Sequence, residues 1–323
     1  MLKLPKWEKQ GKIFSRENGD FFKSHAMRVI PYLRKNGVLR LFFSSRCIND
    51  MMHPTYIDVN PENPKEIIGI CEHSLLKIGK PGLFDDSGIT LASIVRNKNA
   101  SDKDYIYYTG WKRRRYGIPF ELSIGVASIK EDGDILEKVF SGPILAQDIS
   151  HPFLVGGPFV MKSNTNDYRM WYCSGTDWKE MSHGWEPIYT VFHSTSNDGI
   201  HWTNHSTKPV IPYCFANEVV SAPWVVSLQG LYLMYYPYRG SESPINKHYT
   251  IGVATSEDGI TWERRDSEVG IEKSANGWDS EMICYPAIYN YGDKTYMFYS
   301  GNGVGRGGIG YAVADRKLDI IDF

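Results

Sequence analysis

Three carboxylates stand at one offset from a recurring marker. The marker is an inner-strand proline at Pro31, Pro158, Pro223 and Pro286, with Leu91 standing in for it once. Five residues earlier lie Ala26, Asp86, Phe153, Glu218 and Glu281. Acids that converge from distant segments can divide general acid and general base work between them. Glu218 and Glu281 are the expected acid and base or nucleophile, in either order, and Asp86 an orienting or pKa-tuning group. Charges of one sign crowded at a narrow opening repel, so a ligand or counter-charges must accompany them. Candidates for that company are His25 and His151 just before inner strands, Arg28, and the second-strand ends Arg46, Trp111-Lys112, Trp178, Arg239 and Asn302. Arg46, Arg239 and His25 would hold an anionic part of a ligand. Trp111 or Trp178 would stack on a ring.

The elements that bring these residues together are repeats. Aromatic strand cores end at Phe43, Tyr108, Tyr172, Tyr236 and Tyr299, in steps of 65, 64, 64 and 63 residues. So regular a period marks one supersecondary unit used five times. β-Branched and aromatic runs broken by Gly, Asp and Asn make that unit a small antiparallel sheet. The expected fold is all-β: a five-bladed propeller of four-stranded blades in a single domain spanning residues 1–323. In such a blade the start of the first strand and the end of the second open on one face, so the polar candidates gather at one mouth. Asp132, Asp198 and Asp258 sit in Asp-Gly hairpins and read as turn residues. The fifth unit stops after Ile309–Ala314 without a fourth strand. Residues near Trp7 to Phe14 are expected to supply it and cover the open edge.

Composition narrows the function classes. A net charge of −1 gives nucleic acid and anionic membranes no basic excess to bind. No apolar run reaches the length of a bilayer span. The N-terminus lacks the apolar core of a secretory signal, and the five cysteines are scattered and odd in number. They read as free thiols of a cytoplasmic protein. Lys112-Arg113-Arg114-Arg115 is a solvated loop or an anion clamp. The glycine-rich Gly301–Gly308 segment precedes a strand rather than a helix, which removes a phosphate-loop reading.

The hairpins, Phe84-Asp85-Asp86-Ser87-Gly88-Ile89 and Gly277-Trp278-Asp279-Ser280-Glu281 together resemble the five-bladed glycosidase-like propellers. That superfamily holds glycoside hydrolase families 43 and 32 and the mannoside phosphorylases of family 130. The resemblance implies a carbohydrate-active enzyme that cleaves or transfers a glycosyl group, with surface-polysaccharide metabolism as its setting. Its partner would be a sugar or glycan, anionic in one version, and oligomeric state is left open. No cofactor or metal is called for, a structural or central divalent cation being the one alternative. Of the family-43 acids only Asp86 falls on a matching place; Ala26 and Phe153 stand where others are expected. Phosphorolysis or nucleotide-sugar chemistry is the first rival reading, and a non-catalytic glycan-binding propeller the second.

Overall fold

The structure, a computed structural model, describes residues 3–321 except 18, 98–102, 165, 183, 204, 229 and 241–247. Five antiparallel sheets follow one another along the chain as the blades of a propeller. Their inner strands are Phe22–Leu33, Ile89–Val95, Val155–Asn164, Val219–Val220 continued by Trp224–Leu228, and Cys284–Tyr291. The second strands are Leu39–Cys47, Asp104–Arg113, Asp167–Met181, Leu231–Arg239 and Lys294–Ser300. Third strands run Met52–Val59, Phe120–Lys130, Gly184–Ser196, Thr250–Ser256 and Ile309–Ala314. The outer strands are short (Ile67–Ile70, Ile135–Lys138, Trp202–Thr203, Glu263–Arg264) except in blade five. There the outer strand is the N-terminal Trp7–Phe14, running from Trp7 opposite Ala314 to Phe14 opposite Ile309. The ring therefore closes through the first residues of the chain, as expected.

The period-setting aromatics Phe43, Tyr108, Tyr172, Tyr236 and Tyr299 are fully buried. A buried tyrosine hydroxyl needs a partner, and each of the four tyrosine-bearing blades provides one. Tyr108 Oη donates to Asp85 (3.3 Å), Tyr236 Oη to Asp266 (2.6 Å) and Tyr299 Oη to Asp279 (2.9 Å). Tyr172 Oη meets His151 Nε2 at 2.9 Å, and Asp148 holds the other ring nitrogen. Asp85 and Asp279 are neutralised by cations from their own outer strands, Lys138 and Lys9. Phe84 and Trp278 stack on Tyr108 and Tyr299, with ring planes 20° and 22° apart. The aromatic-Asp pairs at 84–85 and 278–279 are thus one latch used twice. Blade one has Phe43 and needs no acid.

A second repeated contact joins neighbouring blades. The residue after each buried aromatic accepts a backbone N–H from the next inner strand: Ser44 from Leu91, Thr109 from Gly157, Cys173 from Ala222 and Ser300 from Arg28. Blade four has Pro237 there and makes no such bond. Arg28, Gly157, Ala222 and, by the same count, Tyr285 take positive φ (62°, 59°, 28° and 54°) at a bulge in the inner strand. These positions align the blades better than the prolines do. On this frame the equivalent of Glu218 and Glu281 in blade two is Ser87, not Asp86. Leu91 is itself the residue whose N–H meets Ser44, whereas Pro158, Pro223 and Pro286 each lie one residue beyond its counterparts Gly157, Ala222 and Tyr285.

The Asp-Gly aspartates are turn residues. Asp198 Oδ1 accepts from the N–H groups of Ile200 and His201, and Asp258 Oδ1 from those of Ile260 and Thr261. These bonds hold the Asp258 carboxyl down at about 2. Asp132 adopts a φ of 56° and accepts from Lys35 N–H in blade one. All five cysteines are free thiols, four of them buried.

Candidate active site at the propeller mouth

Inner-strand starts and second-strand ends meet on one face: Ser24 opposite Arg46, Ile89 opposite Gly110, Val155 opposite Ser174, Val219 opposite Arg239 and Cys284 opposite Ser300. The loops of this face carry Phe21, Ile48, Tyr116, Ile149, Trp185, Tyr213 and Phe215, all exposed. Those are seven of the thirteen large apolar side chains exposed among the described residues, so apolar recognition surface concentrates here. Trp185 tips the longest hairpin, in blade three, and Tyr213 and Phe215 lie in the loop beside it.

The three predicted acids do not share an environment. Glu281 is exposed and its carboxylate has no partner among the described residues; only its backbone N–H is held, by Asn302 Oδ1 at 2.8 Å. Asp86 is partly exposed, accepting from Gly82 N–H (2.8 Å) and Ser87 Oγ (2.7 Å). Glu218 is sealed. It is fully buried, receives both Arg264 guanidinium nitrogens at 2.8 Å, and also accepts from Cys214 N–H. Arg264 comes from the outer strand of the same blade and also binds Asp266, so the Glu218 carboxylate is taken up within its own blade. Its catalytic assignment is corrected to a structural one. Breaking a buried pair from one side costs about 3–5 kcal/mol, so Glu218→Gln should lower the melting temperature by several degrees, as calorimetry would show.

Two binding candidates are corrected likewise. His151 is fully buried between Tyr172 and Asp148. Asn302 spends its side chain on the turn, accepting from Glu281 and Met282 N–H and donating to Gly277 O. Trp111 donates to Thr90 Oγ1 and packs on Phe120, which packs on Trp178, giving an aromatic row between blades two and three. Trp178 is nearly covered and only Trp111 keeps an accessible edge. Lys112 reaches Gly82 O at 3.1 Å and lines, with Glu121 and Phe84, a shallow cavity of about 280 Å³. Arg46 is paired with Asp50 at 2.5 Å, and Asp50 also meets Arg113.

His25 and Arg28 lie on the innermost strand of blade one. His25 is buried at a φ of 66° with Ser24 Oγ 2.7 Å from Nδ1. Burial, then Arg46 and Arg306, lower its pKa to about 4, so the imidazole is neutral and able to accept a proton. Burial, then Arg169, lowers His193 to about 4 as well. Both histidines bind a proton more readily in the unfolded chain. Their contribution is therefore complete above pH 6.5, the unfolded value, and is lost as the pH falls toward 4. Thermal melts from pH 7 to pH 4 should show falling stability, with a flatter profile for His25→Gln.

Arg239 is bound to Glu186 at 3.3 Å and lies over the Tyr249 ring. Beside it are tyrosines that sequence reasoning missed. Tyr189 and Tyr249 share a hydroxyl bond of 2.6 Å, and the Tyr285 ring is 6.4 Å from that of Tyr249. Burial pushes the Tyr189 and Tyr285 hydroxyls well above their ordinary range, yet both side chains keep an accessible surface. Side chains that are deep and still wetted form the floor of a depression. The signal for Tyr285 was its place before Pro286; Tyr189 and Tyr249 had none beyond lying at the starts of third strands. Among the described residues no three His, Cys, Asp or Glu side chains converge to ligate a metal ion, and no helix is long and apolar enough to cross a membrane.

The chain is 34% identical over 312 residues to the uncharacterized protein Rv1502 of Mycobacterium tuberculosis (strain ATCC 25618 / H37Rv), covering 96% of this chain and 99% of that one. It belongs to the same family. Protein MT1551 of strain CDC 1551 matches to the same extent. No family model matches the chain. Among solved structures, a glycoside hydrolase superposes with a TM-score of 0.71 at 15% identity, covering 95% of this chain and 90% of that one. The BT0996 RGII complex superposes with 0.69 at 16% identity and the same coverage. A thermostable family-43 glycoside hydrolase gives 0.61 at 14% identity, covering 91% and 92%. The fold is that of the five-bladed glycosidase-like propellers.

Proposed function

We propose that this protein is a carbohydrate-active enzyme that cleaves or transfers a glycosyl group at the propeller mouth. The observation that carries the reading is Glu281: a carboxylate unpaired among the described residues, on the face that also carries exposed aromatic rings, tyrosine hydroxyls and a neutral histidine. Solved structures of the same fold named as glycoside hydrolases support it. Glycosyl transfer needs one group to protonate the leaving oxygen and another to activate the nucleophile. Glu281 from blade five and Asp86 from blade two are the remaining acids of the predicted set, and neutral His25 in blade one is a proton acceptor on the same face. Trp185, Tyr213 and Phe215 would cover the C–H faces of sugar rings at the rim.

A screen of aryl glycosides and oligosaccharides for released reducing sugar tests this reading. Turnover that Glu281→Gln abolishes supports it. A second reading, a glycan-binding propeller without turnover, is favoured by the structural duty of Glu218. Glycan binding by calorimetry with no product release would establish that alternative. A cytoplasmic location and a role in surface-polysaccharide metabolism belong to the same proposal and rest on the amino-acid sequence alone.

A further inference from the structure

Among the described residues, Arg28 is the one buried arginine without a carboxylate partner. Of the fifteen arginines, twelve lie within 4 Å of an acid. Arg115 and Arg306 are exposed and solvated. Arg28 is only 6% exposed, and among the described residues it meets no acid. Its side chain crosses the axis from blade one to blade three, where Nη2 donates to Pro158 O at 3.2 Å. Gly157 leaves it room: a Cβ there would lie 3.3 Å from Nη1. Cys173 and Tyr285, both near enough to act on its charge, are neutral.

A buried charge answered by one carbonyl is costly unless a ligand completes it. Burial brings the guanidinium down to about 10, so it remains a cation at neutral pH. The bulge that recurs at Gly157, Ala222 and Tyr285 gives Arg28 its φ of 62°. Tyr285, Tyr249 and Tyr189 lead outward from it toward Arg239. One hydroxyl of the Tyr189–Tyr249 pair donates to the other, which leaves the second proton for a ligand.

We infer that Arg28 is an oxyanion receptor at the floor of the mouth, and that the glycan handled there carries a negative charge, the carboxylate of an acidic sugar, which seats on its guanidinium. The inference rests on the proposed function and narrows it to anionic substrates. A carboxylate accepting two guanidinium N–H bonds in a desolvated site is held by a strong charge-assisted pair.

The test is calorimetric titration of the whole protein with methyl glucuronoside, methyl galacturonoside, their methyl esters, methyl glucoside and inorganic phosphate. The free acids should bind at least about 30-fold more tightly than their esters or the neutral sugar, and Arg28→Met should remove that preference. Phosphate binding that Arg28→Met abolishes, with no uronoside binding, would retain the receptor and overturn the acidic-sugar assignment. Esters and acids binding wild type equally would overturn the inference whether or not the variant folds, while leaving a neutral-glycan enzyme intact. Absence of binding by every acid and by phosphate would also overturn it, and the turnover screen would then decide the enzyme reading separately.

Discussion

Deleting residues 1–14 should unfold the protein. These residues supply the outer strand of the last blade, paired along Ile309–Ala314 from Trp7 to Phe14. Leu4 and Trp7 pack with Tyr235, Ile271 and Met297, and Ile13 packs with Phe298 and Tyr311. Burying three large apolar side chains is worth about 1.5–3 kcal/mol each, so their loss removes on the order of 5–9 kcal/mol. That compares with the whole stability of a typical domain, about 5–15 kcal/mol. The deletion also exposes a third strand with unpaired backbone groups, a template for aggregation. Circular dichroism and gel filtration should show a chain that is unfolded or aggregated at room temperature. A folded monomer melting within a few degrees of the intact protein would show that the closure carries little of the stability.

The architecture was legible because its signals are repeated. One aromatic core every 63 to 65 residues implied five blades, and the wording shared by Trp7-Glu8-Lys9 and Trp262-Glu263-Arg264 pointed to the closing strand. The site was less legible because a repeat places structural and functional acids at similar offsets. Asp85 and Asp279 sit at equivalent places of the repeat and secure tyrosines, while Glu281, two residues after Asp279, has no carboxylate partner among the described residues. Nothing in the local wording separates them. Glu218 was misread because Arg264, its partner, lies 46 residues away on an outer strand. Aligning on proline shifted blade two by one residue, since Pro158, Pro223 and Pro286 follow the positive-φ residue of their strands while Leu91 itself holds the equivalent place, donating its N–H to Ser44. Arg28 drew notice only as one arginine among several. Its distinction, burial without an acid, exists only once fifteen arginines have found their places.

Glu281→Gln should have the largest effect on chemistry. Its carboxylate has no partner among the described residues and is exposed at the mouth, so the substitution should leave stability within about 0.5 kcal/mol of wild type, as for surface changes generally. Loss of a general acid or base costs about 100- to 10,000-fold in rate. Removing a group that acts only in the transition state lowers kcat and kcat/KM together. Glu218→Gln should show the opposite pattern, with stability reduced and kcat per folded molecule retained, because Glu218 is occupied by Arg264.

The most direct measurement is therefore kcat for Glu281→Gln and Glu218→Gln, side by side, on the first glycoside that the wild type turns over. A fall of at least about 100-fold in kcat for Glu281→Gln alone, with KM little changed, is the predicted result. Undiminished kcat in Glu281→Gln, or an equal loss in folded Glu218→Gln, would contradict the assignment of the mouth as the catalytic site.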